Sequence, residues 1–548
     1  MKVSEVVVRS LEEFGTKRIY GLIGTSIMEL VDAAKSSRIR YVSTRHEQVA
    51  VSMADGEARV TGRVGVAFVH GGPGFLNALI GLANAYKDSS PVLVVAGAVK
   101  RRMDGLDSWL EVPQQEMAKG VTKRNFRIER GNEAASVIRE ALSVATSAPF
   151  GPVLVDVPED VLVQEAGAVV LKPSPVDAPA PSQEQIDAVS RGILASHRPV
   201  LLFGGGLNSE RGASAAKMLV DETGIPVIST GNGRGVLTED HPSSLGRAGY
   251  GGGSTVADYA LRESDMVVAL GAGVSDVTTY GFNLKPKGQV VVVDLDPLCE
   301  KKPVPCRHVV ADAPSFAEKL LEALKGFRTP DQWLGAIRSQ RERWDTVLES
   351  SLKRRKDGFV NPAAFLKRLD QALPPETILA AGQGMHILYT YAFMRVRTHR
   401  SFLAATNMGS MGFVFPAALG AKMAEPEREV VAVMGDGEFL MTVQDLETAV
   451  RERVGVKLVV VNDNSYKVLL MKQKIQKMGR IHGTLHSNPD MVKLADAFGA
   501  RALSIDSESG IEGGLEFISR KSDVPLIVEL KVDPEDLPPL NLEGSLMF

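Results

Sequence analysis

Two aspartates, Asp436 in Gly435-Asp436-Gly437 and Asp463 in Asn462-Asp463-Asn464, are the side chains best suited to hold a hard cation. The apolar run Val430–Met434 reads as a buried parallel strand that stops at the first of these turns. Val443, Leu446, Ala449 and Val450 then recur at helical spacing, and a second apolar run, Val456–Val461, stops at the second turn. Strand, crossover helix and strand bring both turns to one carboxyl edge of a sheet, where open α/β folds bind ligands. There two carboxylates can converge on one ion, and the small glycines let backbone N–H groups approach phosphate oxygens. Mg²⁺ favours such a set, a couple of protein oxygens completed by phosphates. The triplet alone is equally well a capped strand-to-helix turn; the second turn at this spacing is what points to chemistry.

Two further residues could move protons. Glu47, in Thr44-Arg45-His46-Glu47-Gln48, follows a strand pattern and opens a helix. By itself it reads as a first-turn carboxylate facing the helix dipole. His70 ends the strand-like GVAFVH, where it is either a proton carrier or a histidine bonded to a loop carbonyl.

The elements that must position these residues fall into three units. A length of 548 residues predicts roughly three or four domains. Residues 1–168 alternate helix and strand patterns and end in a Pro- and Ala-rich linker, LKPSPVDAPAPSQEQ. Residues 183–325 alternate again, and Gly204-Gly205-Gly206 with Asp294 and Asp296 could hold a dinucleotide or simply form a glycine-rich turn. Gln332–Lys356 reads as a solvent-facing connecting helix anchored by Trp333 and Trp344. Residues 357–535 carry the two aspartates, and 536–548 form a tail that either closes over a site or frays. The expected fold is α/β, with three doubly wound parallel-sheet domains.

Composition narrows the function. With 44% hydrophobic and 24% charged residues and a net charge of −3, the chain reads as globular and soluble, not as a nucleic-acid binder. Two cysteines, Cys299 and Cys306, make no disulfide framework. The amphipathic, acid-containing start is no signal peptide, and apolar stretches such as Val92–Val99 are strand-sized, so a cytoplasmic protein without membrane or nucleic-acid partners is expected.

The Gly-Asp-Gly turn followed by the Asn-Asp pair resembles the fingerprint of thiamine diphosphate (ThDP) enzymes. RHEQVAVSMADGEAR, GGPGFLNALIGLANAYKDSSPVLVVAG, GPVLVDVP and NMGSMGFVFPAALGAKMA are similar, in the same order, to motifs of the acetolactate synthase, pyruvate decarboxylase and pyruvate oxidase superfamily. The resemblance runs from about residue 3 to residue 535 and implies a pyrimidine-binding first domain, a middle domain and a diphosphate-binding third domain. It implies Mg²⁺ ligation by the side chains of Asp436 and Asp463 and the carbonyl of Ser465. Glu47 would hydrogen-bond the cofactor's pyrimidine N1′, the Gly409 carbonyl would accept from its 4′-amino group, and Met411 would be the apolar wedge that bends it. Gln383, Gly435 and the backbone N–H groups of Gly437 and Glu438 would meet the diphosphate. Pro73 and Asn77 complete the implied cofactor contacts. The family shares each site between subunits, so a homodimer or a dimer of dimers is expected.

The reaction is narrowed less. Asn462–Tyr466 and Lys472-Gln473 resemble acetolactate synthases, which act on a 2-oxo acid such as pyruvate. Their Phe-Gln-Glu is replaced by Trp109-Leu110-Glu111, and their FAD-associated Arg-Phe-Asp-Asp-Arg by Gly273-Val274-Ser275-Asp276-Val277, which puts FAD in doubt. LEVPQQE, containing Leu110 and Gln114, and PGFLNAL resemble 2-hydroxyacyl-CoA lyases and oxalyl-CoA decarboxylases, which bind ADP or CoA on the middle domain. Trp109, Leu110 and Gln114 are therefore the candidate substrate pocket. His70, seven residues before Asn77, matches an active-site histidine of benzoylformate decarboxylases. A non-catalytic regulatory relative would lack Glu47 or the metal residues, and all are present.

Overall fold

The computed structural model describes residues 1–167, 178–250, 254–296 and 301–539. They form three six-stranded sheets, every pair parallel. The first sheet runs Arg40–Ser43, Arg18–Gly21, Gly65–Val69, Val92–Ala98, Val153–Pro158, Arg124–Arg127. The third runs Phe402–Leu403, Ile378–Ala381, Val430–Gly435, Lys457–Asn462, Leu526–Lys531, Arg501–Ile505. Counted along the chain, both have the order 2-1-3-4-6-5, so the first and third units repeat one topology. The middle sheet runs Arg307–Val309, Gln289–Val293, Met266–Leu270, Pro199–Phe203, Val227–Ser229, Ser244–Arg247, the reverse-read 3-2-1-4-5-6 of dinucleotide-binding folds.

In each sheet the strand order reverses beside the unit's first strand, which opens a crevice beyond the carboxyl ends of two adjacent strands. In the third sheet those strands are Ile378–Ala381 and Val430–Gly435, which deliver Gln383 and Asp436. In the first they are Arg18–Gly21 and Gly65–Val69, and His70 leaves the second of them.

The first and third units share one core. Its centre is the pair of helices Glu47–Thr61 and Val414–Ala424, which cross at backbone contact. A Cβ on Gly56 would run into the Ala417 carbonyl, and one on Gly420 into the Met53 carbonyl. The two helices run antiparallel, so Arg59, near the end of the first, lies over the Phe413 ring at the start of the second, 4.9 Å from its centroid. Asp88 ties in the middle unit: its carboxylate accepts from Arg59 (3.0 Å), from Asn232 (3.1 Å), from the Thr406 and Asn407 backbone N–H groups (3.1 and 3.2 Å) and from the Asn407 amide (2.7 Å).

Some expectations shift. The crossover after Gly435 is broken into Asp436–Phe439, a 3₁₀ turn Val443–Asp445 and Leu446–Arg451, because Asp445 turns back to accept the Arg45 N–H at 2.9 Å. The connecting helix spans Asp331–Leu352, with Trp333 and Trp344 buried in the middle core. Part of the Pro-rich linker, Cys299 and most of the tail lie outside the described residues; the near end of the tail is held by Tyr389 donating to Asp536 at 2.7 Å. Among the described residues no helix is long and apolar enough to cross a membrane.

Candidate active site

A cleft of about 540 Å³ opens at the switch point of the third sheet. Gln383, Gly409, Met411, Gly435, Asp436, Gly437, Glu438, Asp463 and Ser465 all line it, so nine of the expected cofactor residues converge on one space. The turn glycines are required by crowding. A Cβ on Gly435 would sit 2.9 Å from His386 Nδ1, and one on Gly437 2.6 Å from the Tyr466 ring. Gly409 adopts φ +71°, a left-handed conformation that glycine takes without strain, and nothing lies within 4 Å of where its Cβ would be.

Asp436 is 2% exposed, and its Oδ2 accepts from Asn488 at 2.6 Å and from His486 at 3.0 Å. Burial raises its carboxyl above the ordinary range, the Asn488 bond pulls it back, and the charge of Asp463 raises it further. Asp463 accepts from the Ser465 backbone N–H (3.0 Å) and hydroxyl (2.7 Å) and pairs with Lys467 at 3.4 Å. Asn488 spans the two turns, donating also to Asn462 (2.9 Å) and Asn464 (3.0 Å), while its own carbonyl oxygen is buried without a partner among the described residues. These donors are hard oxygens. No described cluster of three or more His, Cys, Asp or Glu could cage a metal without help. Two mutually repelling carboxylates that need further oxygens fit Mg²⁺ held jointly with a diphosphate.

Glu438 does more than expected of it. Beyond its backbone N–H, its buried carboxylate accepts from the Gln383 N–H at 2.7 Å and the Gly412 N–H at 3.1 Å. One side chain thus joins the three segments that line the cleft floor. The buried His386 Nε2 stands 3.6 Å from it and makes no hydrogen bond among the described residues.

The first unit assembles a second cluster. Glu47 is 5% exposed and accepts from the Asn77 amide at 2.9 Å. The helix Pro73–Lys87 starts beside it, and a Cβ on Gly74 would lie 2.9 Å from Glu47 Oε1 and 3.0 Å from His70 Cβ. His70 Nδ1 lies 2.7 Å from the Ser26 hydroxyl, and burial lowers its pKa, so the ring is neutral at neutral pH. Trp109 is 78% exposed and Leu110 holds φ +72°. Gln114 is buried, accepting from the Gly72 N–H (2.8 Å) and donating to Gly97 (3.1 Å) and Asp156 (2.8 Å). Its amide is spent on the scaffold that supports the Trp109–Leu110 loop.

Within one chain the two clusters do not share a space. The cleft is lined by the middle and third units, with no residue from 1–167. In the middle unit, the backbones after Phe203 and Leu270 touch: a Cβ on Gly206 would lie 2.6 Å from Gly271 Cα. Asp294, raised by burial, accepts the Asp296 N–H at 2.9 Å. The Glu438 carboxylate, His386, His486 and Asn488 escape a reading of the sequence, since LHSNPD looks like no more than the cap of helix Met491–Phe498.

Three family profiles match in this order: the thiamine pyrophosphate enzyme N-terminal TPP binding domain over residues 1–122, the central domain over 186–320 and the C-terminal TPP binding domain over 382–530. The chain belongs to the thiamine pyrophosphate enzyme family, and ThDP is its cofactor. Its curated relatives include a probable acetolactate synthase large subunit of Methanocaldococcus jannaschii, 32% identical over 100% of this chain and 94% of the relative. An acetolactate synthase of Mycobacterium bovis is 32% identical over 96% of this chain and 88% of its own length. The acetolactate synthase large subunit of Buchnera aphidicola subsp. Schizaphis graminum is 28% identical over 99% and 97%. This chain is thus an enzyme similar throughout its length to acetolactate synthases.

Proposed function

We propose that the protein is a cytoplasmic, Mg²⁺- and ThDP-dependent decarboxylase and carboligase of 2-oxo acids that condenses pyruvate as acetolactate synthases do. The observation that carries this reading is the cleft itself, where Asp436, Asp463, Gly409 and Met411 meet at the switch point of the third sheet. ThDP, when bound, supplies a carbon nucleophile that cleaves the bond next to a carbonyl. The chain's own residues do the rest. Asp436, Asp463 and the Ser465 carbonyl would hold Mg²⁺, and the Gly437 and Glu438 N–H groups would bind the diphosphate. Met411, on the cleft wall, would pack against the cofactor and exclude water. Glu47 would hold a hydrogen bond on the pyrimidine, and His70 would carry protons to and from the substrate's oxygen. Trp109 and Leu110 cover the substrate's approach.

Glu47 and Asp436 serve one cofactor from two protomers of a homodimer. This is supported by a cleft without first-unit residues and by apolar side chains exposed around it, with Met408 at 40% and Leu469 and Ile475 at 52%. The test is to supply pyruvate, and separately 2-hydroxyacyl- and oxalyl-CoA, to purified protein with ThDP and Mg²⁺. Acetolactate from pyruvate is expected. Turnover confined to the thioesters would replace this reading with an acyl-CoA lyase.

A further inference from the structure

Among the described residues two arginines are almost wholly buried, Arg234 at 2% and Arg247 at 5% exposure. Both guanidinium groups stack on the Tyr391 ring, 5.1 and 4.7 Å from its centroid. Their charge balance differs. Arg234 is neutralised by Glu239 through two bonds of 2.6 and 2.7 Å. Arg247 forms no ion pair with any described residue. Its Nη1 donates to the Tyr250 carbonyl, and its Nε is buried without a hydrogen-bond partner among the described residues. A buried guanidinium without a counter-charge is costly, and a bound anion recovers that cost.

Arg247 ends the middle-sheet strand Ser244–Arg247 and walls the same cleft as Gln383, Met411 and Asp436. Lys467, a second cation of that lining, is occupied by Asp463 at 3.4 Å and by the Asp533 carbonyl at 3.1 Å. The geometry points to Arg247 as the anion receptor of the cleft, taking the carboxylate of the 2-oxo acid. This rests on the decarboxylase–carboligase reading above. The planar fork matches two carboxylate oxygens, and the Tyr391 face holds that plane in place.

A diphosphate or a CoA phosphate offers the same oxyanion, so the experiment separates the sources. Wild type, Arg247→Met and Arg247→Lys, each loaded with ThDP and Mg²⁺, are titrated calorimetrically with oxamate, an unreactive carboxylate isostere of pyruvate, and with coenzyme A. ThDP affinity is measured on the unloaded proteins. Arg247→Met is expected to weaken oxamate about tenfold or more, with ThDP affinity held within about twofold. Arg247→Lys, which keeps the charge and loses the fork, falls between, and it carries the test if the methionine variant does not fold. Weakened ThDP with unchanged oxamate moves Arg247 to the diphosphate and overturns the carboxylate assignment. Selective loss of coenzyme A keeps Arg247 as the anion receptor but overturns the 2-oxo acid reading. Unchanged affinity for all three ligands, or a ThDP-loaded wild type that binds neither oxamate nor coenzyme A, refutes the proposal.

Discussion

The Asn77 amide donates to the Glu47 carboxylate at 2.9 Å, across the starts of the helices Pro73–Lys87 and Glu47–Thr61. A carboxylate at 5% exposure is held in place by a neutral donor, which leaves its charge for a partner outside the first unit. An amide at residue 47 can still accept from Asn77, so Glu47→Gln keeps the local packing. We expect it to lower turnover by on the order of 10²–10⁴ while ThDP stays bound. Steady-state rates paired with equilibrium dialysis of ThDP check this, and wild-type turnover in the variant would remove Glu47 from the mechanism.

Asp436 has two donors, Asn488 and His486, on one oxygen and a second carboxylate nearby that raises its proton affinity. A divalent cation relieves both burdens at once. Chelating Mg²⁺ should therefore release ThDP, and Asp436→Ala should bind it equally poorly with or without metal. Asn488→Ala should fall between, because it removes the bridge between the two turns and leaves both carboxylates. Because the carboxyl is raised, protons displace the metal at a higher pH than at an ordinary aspartate. ThDP retention followed against Mg²⁺ concentration and pH is the measurement; metal-independent retention by wild type would count against the assignment.

The residues legible in the sequence are those whose position follows from a local pattern. Asp436 and Asp463 end apolar strand runs, and Glu47 opens a helix after one, so strand logic alone brings them to sheet edges. The helix pair that joins the first and third units was not legible, because Gly56 and Gly420 look like ordinary helix-weakening glycines until each is seen against a facing carbonyl. The same holds for the Glu438 carboxylate, whose acceptor role depends on N–H groups from the distant Gln383 and Gly412. Arg247 was hidden for the opposite reason: its distinguishing feature is a counter-charge it lacks, which only packing reveals.

Asp445 is buried at 0% exposure, accepts from the Arg45 N–H and the Thr448 hydroxyl, and leaves Oδ2 without a partner among the described residues. Burial raises its carboxyl to about 6. Between the ordinary aspartate value near 4 and that raised one, the folded protein binds the proton that the unfolded chain has lost. Its contribution to stability therefore falls as pH rises through this window and stays low above it. Asp445→Asn keeps both accepted bonds and removes the charge. We expect roughly 1–2 kcal/mol of stabilisation at pH 7.5 and little or none at pH 4. Thermal melts of both proteins across that range decide it, and a difference that does not grow with pH would sink the argument.

Glu438 links three segments that carry the proposed cofactor contacts. Its Oε2 takes the Gln383 N–H at 2.7 Å, its Oε1 the Gly412 N–H at 3.1 Å, and it starts from the turn that bears Asp436. Removing the carboxylate leaves two buried N–H groups unpaired, each costing about 1–3 kcal/mol. Glu438→Ala should therefore loosen both segments and weaken ThDP binding by about tenfold or more. Glu438→Gln discriminates further: its amide accepts from one N–H and turns a donor against the other, so one segment is freed and the other kept. Hydrogen exchange reads this directly. The amides of residues 383 and 412 should both exchange faster in the alanine variant and only one of them in the glutamine variant, with strand Val430–Gly435 protected in both. Wild-type protection at both amides in Glu438→Ala would show that other contacts hold the segments and that the carboxylate is dispensable.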